Sequence, residues 1–381
     1  MSRRLRLGVV VPGWSGPGEE AALPALAGLL WSLARDHDLR IVALRHPARR
    51  PAYRDLGGVP VVALGLGTRG GLVGRGVALT AGIRSMRVLH NEVPFDVLHG
   101  FWADEPGAVA VGAARLLGRP SIVSVMGGEL AAHADIGYGA ALGRGGRLTV
   151  GASLRGADLV TVGSSWLFRV VAPCAPDVPM RLLPVGVDVA RFAPAAGLAA
   201  EPRVLFVGSL SAVKDPVLLL RAFAQVRTPG AQLVVAGDGP LRAGLERLAA
   251  ELGIAHRVRF LGSVPRADLP DVYRSARVLL VTSRHESQSM VAVEAAACGL
   301  AVVGTSVGVV PELAATGGGI AVASRHPAAL ARAVEAVLDP VAGAVAGDAA
   351  RAHAVRQWGL DGAVARLSAA WQELAGVPDA S

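Results

Sequence analysis

Val204-Leu-Phe-Val-Gly208-Ser-Leu-Ser-Ala-Val-Lys214-Asp-Pro216 runs from an apolar strand through a glycine turn to a lysine, just before a helix that starts near Pro216. That order suits a phosphate group. Glycine lets the backbone approach closely, and a helix N-terminus offers unpaired N–H groups and the positive end of its dipole. Lys214 is also the only lysine in 381 residues, since the 38 Lys+Arg comprise it and 37 arginines. On a solvated surface arginine replaces lysine at little cost. Where a compact ammonium on a thin stem is needed it does not, because a guanidinium is planar, wider and forked. The surviving lysine is therefore a candidate diphosphate contact, weighed against a lysine that simply sits on a surface loop.

Outward from this unit, short apolar runs alternate with longer amphipathic ones, the pattern of parallel α/β units. Downstream, strands are expected at 203–207, 232–236, 258–261, 278–282, 301–304 and 319–322. Helices are expected near 216–226, 240–252, 266–274, 289–298, 311–314 and 327–338. Upstream, strands are expected at 5–11, 40–44, 59–64, 97–99, 121–125 and 159–162, with a helix near 20–35. The segment from Leu183-Pro-Val-Gly-Val-Asp188 to Glu201-Pro202 breaks the series and reads as a linker. It divides domains 1–184 and 185–357. A last helix, over about 358–375, follows a low-complexity Ala/Gly/Val stretch and is expected to pack back on the first domain. Glycine-rich 65–76 reads as a mobile loop, and 133–151 as a surface excursion near a site.

Composition is that of a globular chain: 52% hydrophobic, 18% charged and 4% aromatic. Cys174 and Cys298 lie far apart in apolar segments and read as free thiols of a reducing compartment. The N-terminal apolar run is too short for a secretory signal, and no uncharged stretch reaches the ~18 residues of a membrane span. Net charge is +8, with early arginines at Arg3, Arg4, Arg6, Arg49, Arg50, Arg54, Arg69, Arg75, Arg84 and Arg87. A solvated surface is the default, with an anionic partner or lipid head groups as alternatives. The scarcity of aromatics disfavours nucleic acid.

Thr282-Ser-Arg-His-Glu286-Ser-Gln-Ser-Met-Val-Ala-Val-Glu294-Ala-Ala-Ala-Cys-Gly299 is the strongest local signal. Glu294 interrupts an otherwise uncharged run, so its carboxyl should be partly buried and need a donor. Glu286 precedes a helix whose first turn is expected to be Ser287, Gln288 and Ser289, with N–H groups free for an anion. A carboxylate beside an anion site implies a second kind of group, such as sugar hydroxyls. His285 reads as an ordinary loop histidine.

Glu286 and Glu294, with seven residues between them, resemble the signature of the GT-B glycosyltransferases of family 4, as do Ala295-Ala-Ala-Cys-Gly299 and Val302-Val-Gly-Thr305. Gly208-Ser-Leu ahead of Lys214, Gly237-Asp-Gly-Pro-Leu241, Phe260-Leu-Gly-Ser-Val264, Val307-Gly-Val-Val-Pro-Glu312 and the linker ending at Phe192 extend the likeness. It is dense from about Leu183 to Pro340 and weaker before. The resemblance implies two Rossmann-like domains facing across a cleft, the first on the acceptor side and the second holding a nucleotide sugar. Lys214 would hold the donor diphosphate, Glu286 the donor sugar and Glu294 the ribose; Glu286 and Lys214 would carry catalysis. Gly208, Ser209, Ser287, Gln288 and Ser289 would line the phosphate and sugar, Val264 the base. Gly16 and Gly18 would approach the donor from the first domain. Trp14, His99, Trp102, Glu129 and His133 are the acceptor-side candidates.

Three positions depart from the family pattern. Ser209 stands where an arginine is usual, Glu286-Ser-Gln-Ser289 replaces Glu-Gly-Phe-Gly, and Met126 replaces a histidine near the reacting centre. The expectation is a retaining, metal-independent transferase without cofactor, cytoplasmic or peripheral at the inner membrane face. A uridine-type nucleoside-diphosphate sugar would give its glycosyl group to a hydroxyl of a sugar, a lipid-linked molecule or a small molecule. The alternatives are an impaired nucleotide-sugar-binding paralogue and a same-fold epimerase or phosphorylase.

Overall fold

The structure, a computed structural model, describes residues 3–13, 24–45, 52–55, 58–66, 71–195 and 201–377. The chain divides into two compact units, one of residues 1–185 with 363–381 and one of residues 186–362.

In the first unit the strands are β1 (Arg6–Val11), β2 (Asp38–Ala43), β3 (Ala52–Asp55), β4 (Pro60–Ala63), β5 (Val97–Phe101), β6 (Ser121–Val125), β7 (Leu159–Val162) and β8 (Met180–Leu182). They form one sheet in the order β3-β4-β2-β1-β5-β6-β7-β8, parallel apart from the β3–β4 pair. The helices are α1 (Pro24–Leu33), α2 (Gly71–Glu92), α3 (Glu105–Leu117), α4 (Arg144–Gly156) and α5 (Ser165–Val171). β1 and β5 are buried almost end to end, as a parallel sheet covered on both faces requires.

The second unit contains β9 (Arg203–Val207), β10 (Gln232–Ala236), β11 (Val258–Gly262), β12 (Val278–Val281), β13 (Ala301–Thr305) and β14 (Gly319–Val322). Their order is β11-β10-β9-β12-β13-β14, all parallel. Its helices are α6 (Pro216–Phe223), α7 (Arg242–Glu251), α8 (Leu269–Arg274), α9 (Met290–Ala297), α10 (Val310–Ala315), α11 (Pro327–Leu338) and α12 (Pro340–Trp358). Separate apolar clusters cover the two faces of this sheet, one around Phe223 and Leu280, the other around Leu279 and Trp358. The final helix, α13 (Leu360–Leu374), lies mostly in the first unit.

Two expectations are corrected. Residues 65–76 are not wholly a loop: α2 starts at Gly71 and continues for 22 residues. Its glycines argue against a helix by propensity, yet Gly82 permits close packing, since a Cβ there would lie 2.7 Å from Val109 Cγ2 of α3. The Ala/Gly/Val stretch is also no featureless connection but the 19-residue α12. Its buried face is Gly343, Ala346, Gly347, Ala350 and Ala354, with the large Trp358 only at its last position. A helix whose packed face is made of small residues shows no apolar periodicity. The closeness is real, because a Cβ on Gly347 would meet Gly299 O at 2.2 Å. β3 and β8 are short edge elements that the apolar pattern does not reveal.

Candidate donor and acceptor sites

In the second sheet the chain goes from β9 outward through β10 to β11, then returns to β12 on the other side of β9. Ligands of open parallel sheets bind at such a reversal, outside the carboxyl ends of the two flanking strands. Lys214 follows β9 and Glu286 follows β12, so both stand at that point.

The loop after β9 is shaped by close backbone approach. A Cβ on Gly237, whose φ is +141°, would fall 1.9 Å from Gly208 O, so only glycine lets the turns after β9 and β10 meet. Asp215 adopts φ +47° and caps α6 by accepting from Leu218 N at 3.1 Å. Arg325 Nη2 also donates to its Oδ2, and Arg284 Nε lies 3.9 Å from the same oxygen. The β12 loop is stitched alongside. Thr282 Oγ1 donates to Lys214 O at 2.9 Å, Arg284 N to Val213 O at 2.7 Å, and Thr305 Oγ1 to Ser283 O at 2.7 Å.

Across this seam Lys214 Nζ donates to Glu286 Oε1 at 2.5 Å, and Ser283 Oγ donates to the same oxygen at 2.6 Å. The side chains are 25% and 10% exposed, so the pair lies at the surface of the unit with the carboxylate the deeper member. Ser209 is exposed, its Oγ 2.9 Å from Ser211 Oγ, and brings no charge. Ser287, Gln288 and Ser289 are not the first turn of α9, as the sequence suggested, but the loop before it. Ser289 at φ +72° turns the chain, and the helix starts at Met290. The buried Ser289 Oγ has no hydrogen-bond partner.

Glu294 lies on α9 and is 2% exposed. Tyr273 Oη donates to its Oε2 at 2.9 Å, and Arg266 Nη1 sits 2.9 Å from Oε1. Burial pushes the carboxyl pKa up, while Arg266 and Tyr273 pull it down. The place of Glu294 in an otherwise uncharged run demanded a donor partner without naming it. Arg266 and Tyr273 come from the β11–α8 loop and α8, about 20 residues or more upstream. Val264, in the same loop, packs against the Leu279 cluster.

In the first sheet the reversal lies between β1 and β5. Trp14, Gly16 and Gly18 follow β1 but lie outside the described residues. Trp102 follows β5 with φ +78°. Next to it, Asp104 carries a buried, unpartnered Oδ1 at the start of α3. Burial, helped by Glu129 and Glu105, pushes its carboxyl pKa up to about 7. Glu129 is 2% exposed and accepts from Ala103 N, Met126 N and Gly127 N at 3.2, 2.9 and 2.6 Å. It therefore ties the β5 and β6 loops together. Sequence reading missed Asp104; the Asp104-Glu105 pair was visible, but the orphaned oxygen exists only in the fold.

His99 is corrected. As an acceptor-side candidate it should reach a ligand, yet it is fully buried. Trp371 Nε1 donates to its Nδ1 at 3.2 Å, and Nε2 lies 2.8 Å from Ser124 Oγ, which is 2.6 Å from Thr161 Oγ1. An indole only donates, so the ring proton sits on Nε2. Burial holds this histidine down to about 3, and its role is packing. His133 bridges Tyr138 by paired backbone bonds of 2.9 and 3.1 Å, with the rings stacked. Met126 directly follows β6, and its N–H donates to Glu129 Oε1. Among the described residues, no three His, Cys, Asp or Glu side chains form a group able to hold a metal ion. No helix among them is long and apolar enough to cross a membrane.

The family model of glycosyl transferases group 1 matches residues 194–340, and that of the glycosyl transferase 4-like domain matches residues 23–169. The D-inositol 3-phosphate glycosyltransferase of Frankia alni is 34% identical over 295 residues, covering 68% of this chain and 70% of that protein. The chain belongs to glycosyltransferase family 4. Another relative of the same name, from Salinispora tropica, is 42% identical over 149 residues, 32% of this chain and 31% of its own length. That of Corynebacterium jeikeium is 39% identical over 201 residues, 46% of this chain. The chain thus spans 31–48% of the length of these last two relatives. Among solved structures, sucrose-phosphate synthase from Thermosynechococcus elongatus matches 98% of this chain and all of its own, with TM-score 0.83 at 20% identity. Anabaena HepE in complex with UDP-glucose matches 97% and all of its own, with TM-score 0.73 at 18%. These are GT-B glycosyltransferases, and the family 4 chain has their fold.

Proposed function

We propose that this family 4 chain moves a glycosyl group from a nucleoside-diphosphate sugar, of uridine type, to an acceptor hydroxyl, with retention of configuration and without a metal. The observation that carries the reading is the Lys214–Glu286 pair at the reversal of the second sheet. An ammonium there meets a diphosphate, and a carboxylate beside it accepts from sugar hydroxyls. The complex of HepE with UDP-glucose supports the uridine choice. The names of the relatives support a phosphorylated polyol such as inositol 3-phosphate as acceptor.

Chemically, the bond from the anomeric carbon to the diphosphate oxygen breaks, and one to the acceptor oxygen forms on the same face. The acceptor proton passes to the departing phosphate oxygen. This chain fits that route, because Met126 accepts no proton and His99 is sealed and neutral. Lys214 stabilises the charge that grows on the leaving group. Glu294, oriented by Arg266 and Tyr273, takes the ribose hydroxyls.

Calorimetry with a panel of nucleotide sugars, followed by a transfer assay on inositol 3-phosphate and pooled acceptors, tests the proposal. Binding with release of nucleoside diphosphate and a glycosylated product is expected. Lys214→Ala should weaken donor binding roughly 10- to 100-fold, the worth of a hydrogen bond to a charged group. Unchanged turnover in that variant would sink the reading. Tight binding without any transfer would instead mark a binding paralogue, the alternative that the uncharged Ser209 raises.

A further inference from the structure

We propose that Glu286 is an exchangeable counter-ion of Lys214, so that the site favours the intact nucleotide sugar over the nucleoside diphosphate it becomes. The inference rests on the donor-site reading above and deepens it. In the ligand-free site one carboxylate oxygen, Glu286 Oε1, receives both Lys214 Nζ at 2.5 Å and Ser283 Oγ at 2.6 Å. The hydrogen bonds from Lys214 and Ser283 and the ion pair with Lys214 all fall on Oε1. The two loops bearing the pair are fastened main chain to main chain by Arg284 N on Val213 O, and side chain to main chain by Thr282 on Lys214 O. The main chain therefore holds the two residues side by side, while their side chains stay free to exchange partners.

A diphosphate arriving at Lys214 competes with that carboxylate for the ammonium and meets its negative charge. Two anions sharing one cation oppose each other. The usual second cation is missing, because position 209 is serine. A donor that carries its sugar offsets the conflict. Its hydroxyls donate to Oε2 and, once Lys214 turns to the phosphate, to Oε1 as well. A bare nucleoside diphosphate offers Glu286 only a more highly charged terminal phosphate and no hydroxyl. Product is thereby bound loosely while the substrate is held.

The test is calorimetry on the full chain with UDP, ADP and GDP and their glucose or mannose esters, carrying forward the tightest pair. Glu286→Gln should bind the bare diphosphate roughly five-fold more tightly than the parent and the nucleotide sugar more weakly, inverting their order. Glu286→Ala, which also removes the charge, should tighten the diphosphate in the same direction, so a folding defect in either variant alone does not decide the matter. In a Lys214→Met background, Glu286→Gln should tighten the diphosphate by less than roughly five-fold, because only the direct repulsion remains; an undiminished effect would show that no competition for the lysine exists and would overturn the counter-ion role. Diphosphate affinity unchanged or weakened in both Glu286 variants overturns the inference and leaves the donor site standing. A parent chain that binds no member of the panel overturns the donor site itself.

Discussion

Lys214 was singled out by its rarity and by the strand and glycine turn before it, and the structure gives it a neighbour, a carboxylate 2.5 Å away. Composition could pick the lysine because it alone among the 38 Lys+Arg residues is not arginine; it could not pick the partner 72 residues on. Asp104 shows the opposite case. Nothing in Asp104-Glu105 marks the first over the second, yet Glu105 is held by Arg45 at 2.6 and 2.7 Å while Asp104 Oδ1 is left without a partner. Its folded pKa, pushed from 3.8 up to about 7, favours the protonated form. That contribution to stability is whole below the unfolded value of 3.8 and is lost as pH rises through about 7. Asp104→Asn should therefore stabilise the protein at pH 8 by roughly 1–3 kcal/mol, with the gain shrinking as pH falls toward the ordinary carboxylate range. Melting temperatures of both proteins across that span check this; a constant difference would rule it out.

Strands were legible because most are short, predominantly apolar runs, and β6, β7, β9, β10 and β14 have the bounds the pattern predicts. Helices were legible where one face is large and apolar, as in α11, and not where glycine and alanine make up most of the packed face, as in α12, or where glycines open the helix, as in α2, whose large core residues Met86 and Leu89 come only near its end. The loop before α9 was misread as a helical turn because its distortion is set by a neighbour. Gly308 packs there at φ +56°, and a Cβ on it would meet Gln288 O at 2.7 Å and Glu286 Cβ at 3.0 Å. Gly308→Ala should cost roughly 1–3 kcal/mol and, by displacing Glu286, weaken nucleotide-sugar binding. Thermal unfolding and donor titration report both effects. A variant as stable and as tight as the parent would show that the loop has room the geometry denies.

At the scale of the whole molecule, the last helix serves the first unit. On α13, Trp371 is fully buried against His37 and His99, donating to His99 Nδ1. Ser368 lies 2.7 Å from His37 Nε2, and His37 Nδ1 accepts from Leu5 N at 3.3 Å. Residues from the two ends of the chain thus complete one core. Trp371→Ala should cost about 3–5 kcal/mol, the range for emptying a large aromatic site. The variant also leaves His99 Nδ1 without its donor in a dry setting. Denaturant unfolding measures it, and a loss below about 1 kcal/mol would mean that α13 is held by something else.

The sequence by itself determined the α/β alternation, the strand–turn–lysine unit and the two glutamates, because these depend on local apolar runs and on residue types that resist exchange. Tertiary structure alone decided that His99 is sealed rather than exposed, that Asp104 is orphaned, that Arg266 and Tyr273 serve Glu294, and that Lys214 meets Glu286. Burial and pairing arise when distant loops are brought to the same sheet reversal, and no local pattern of residues records which partner arrives there.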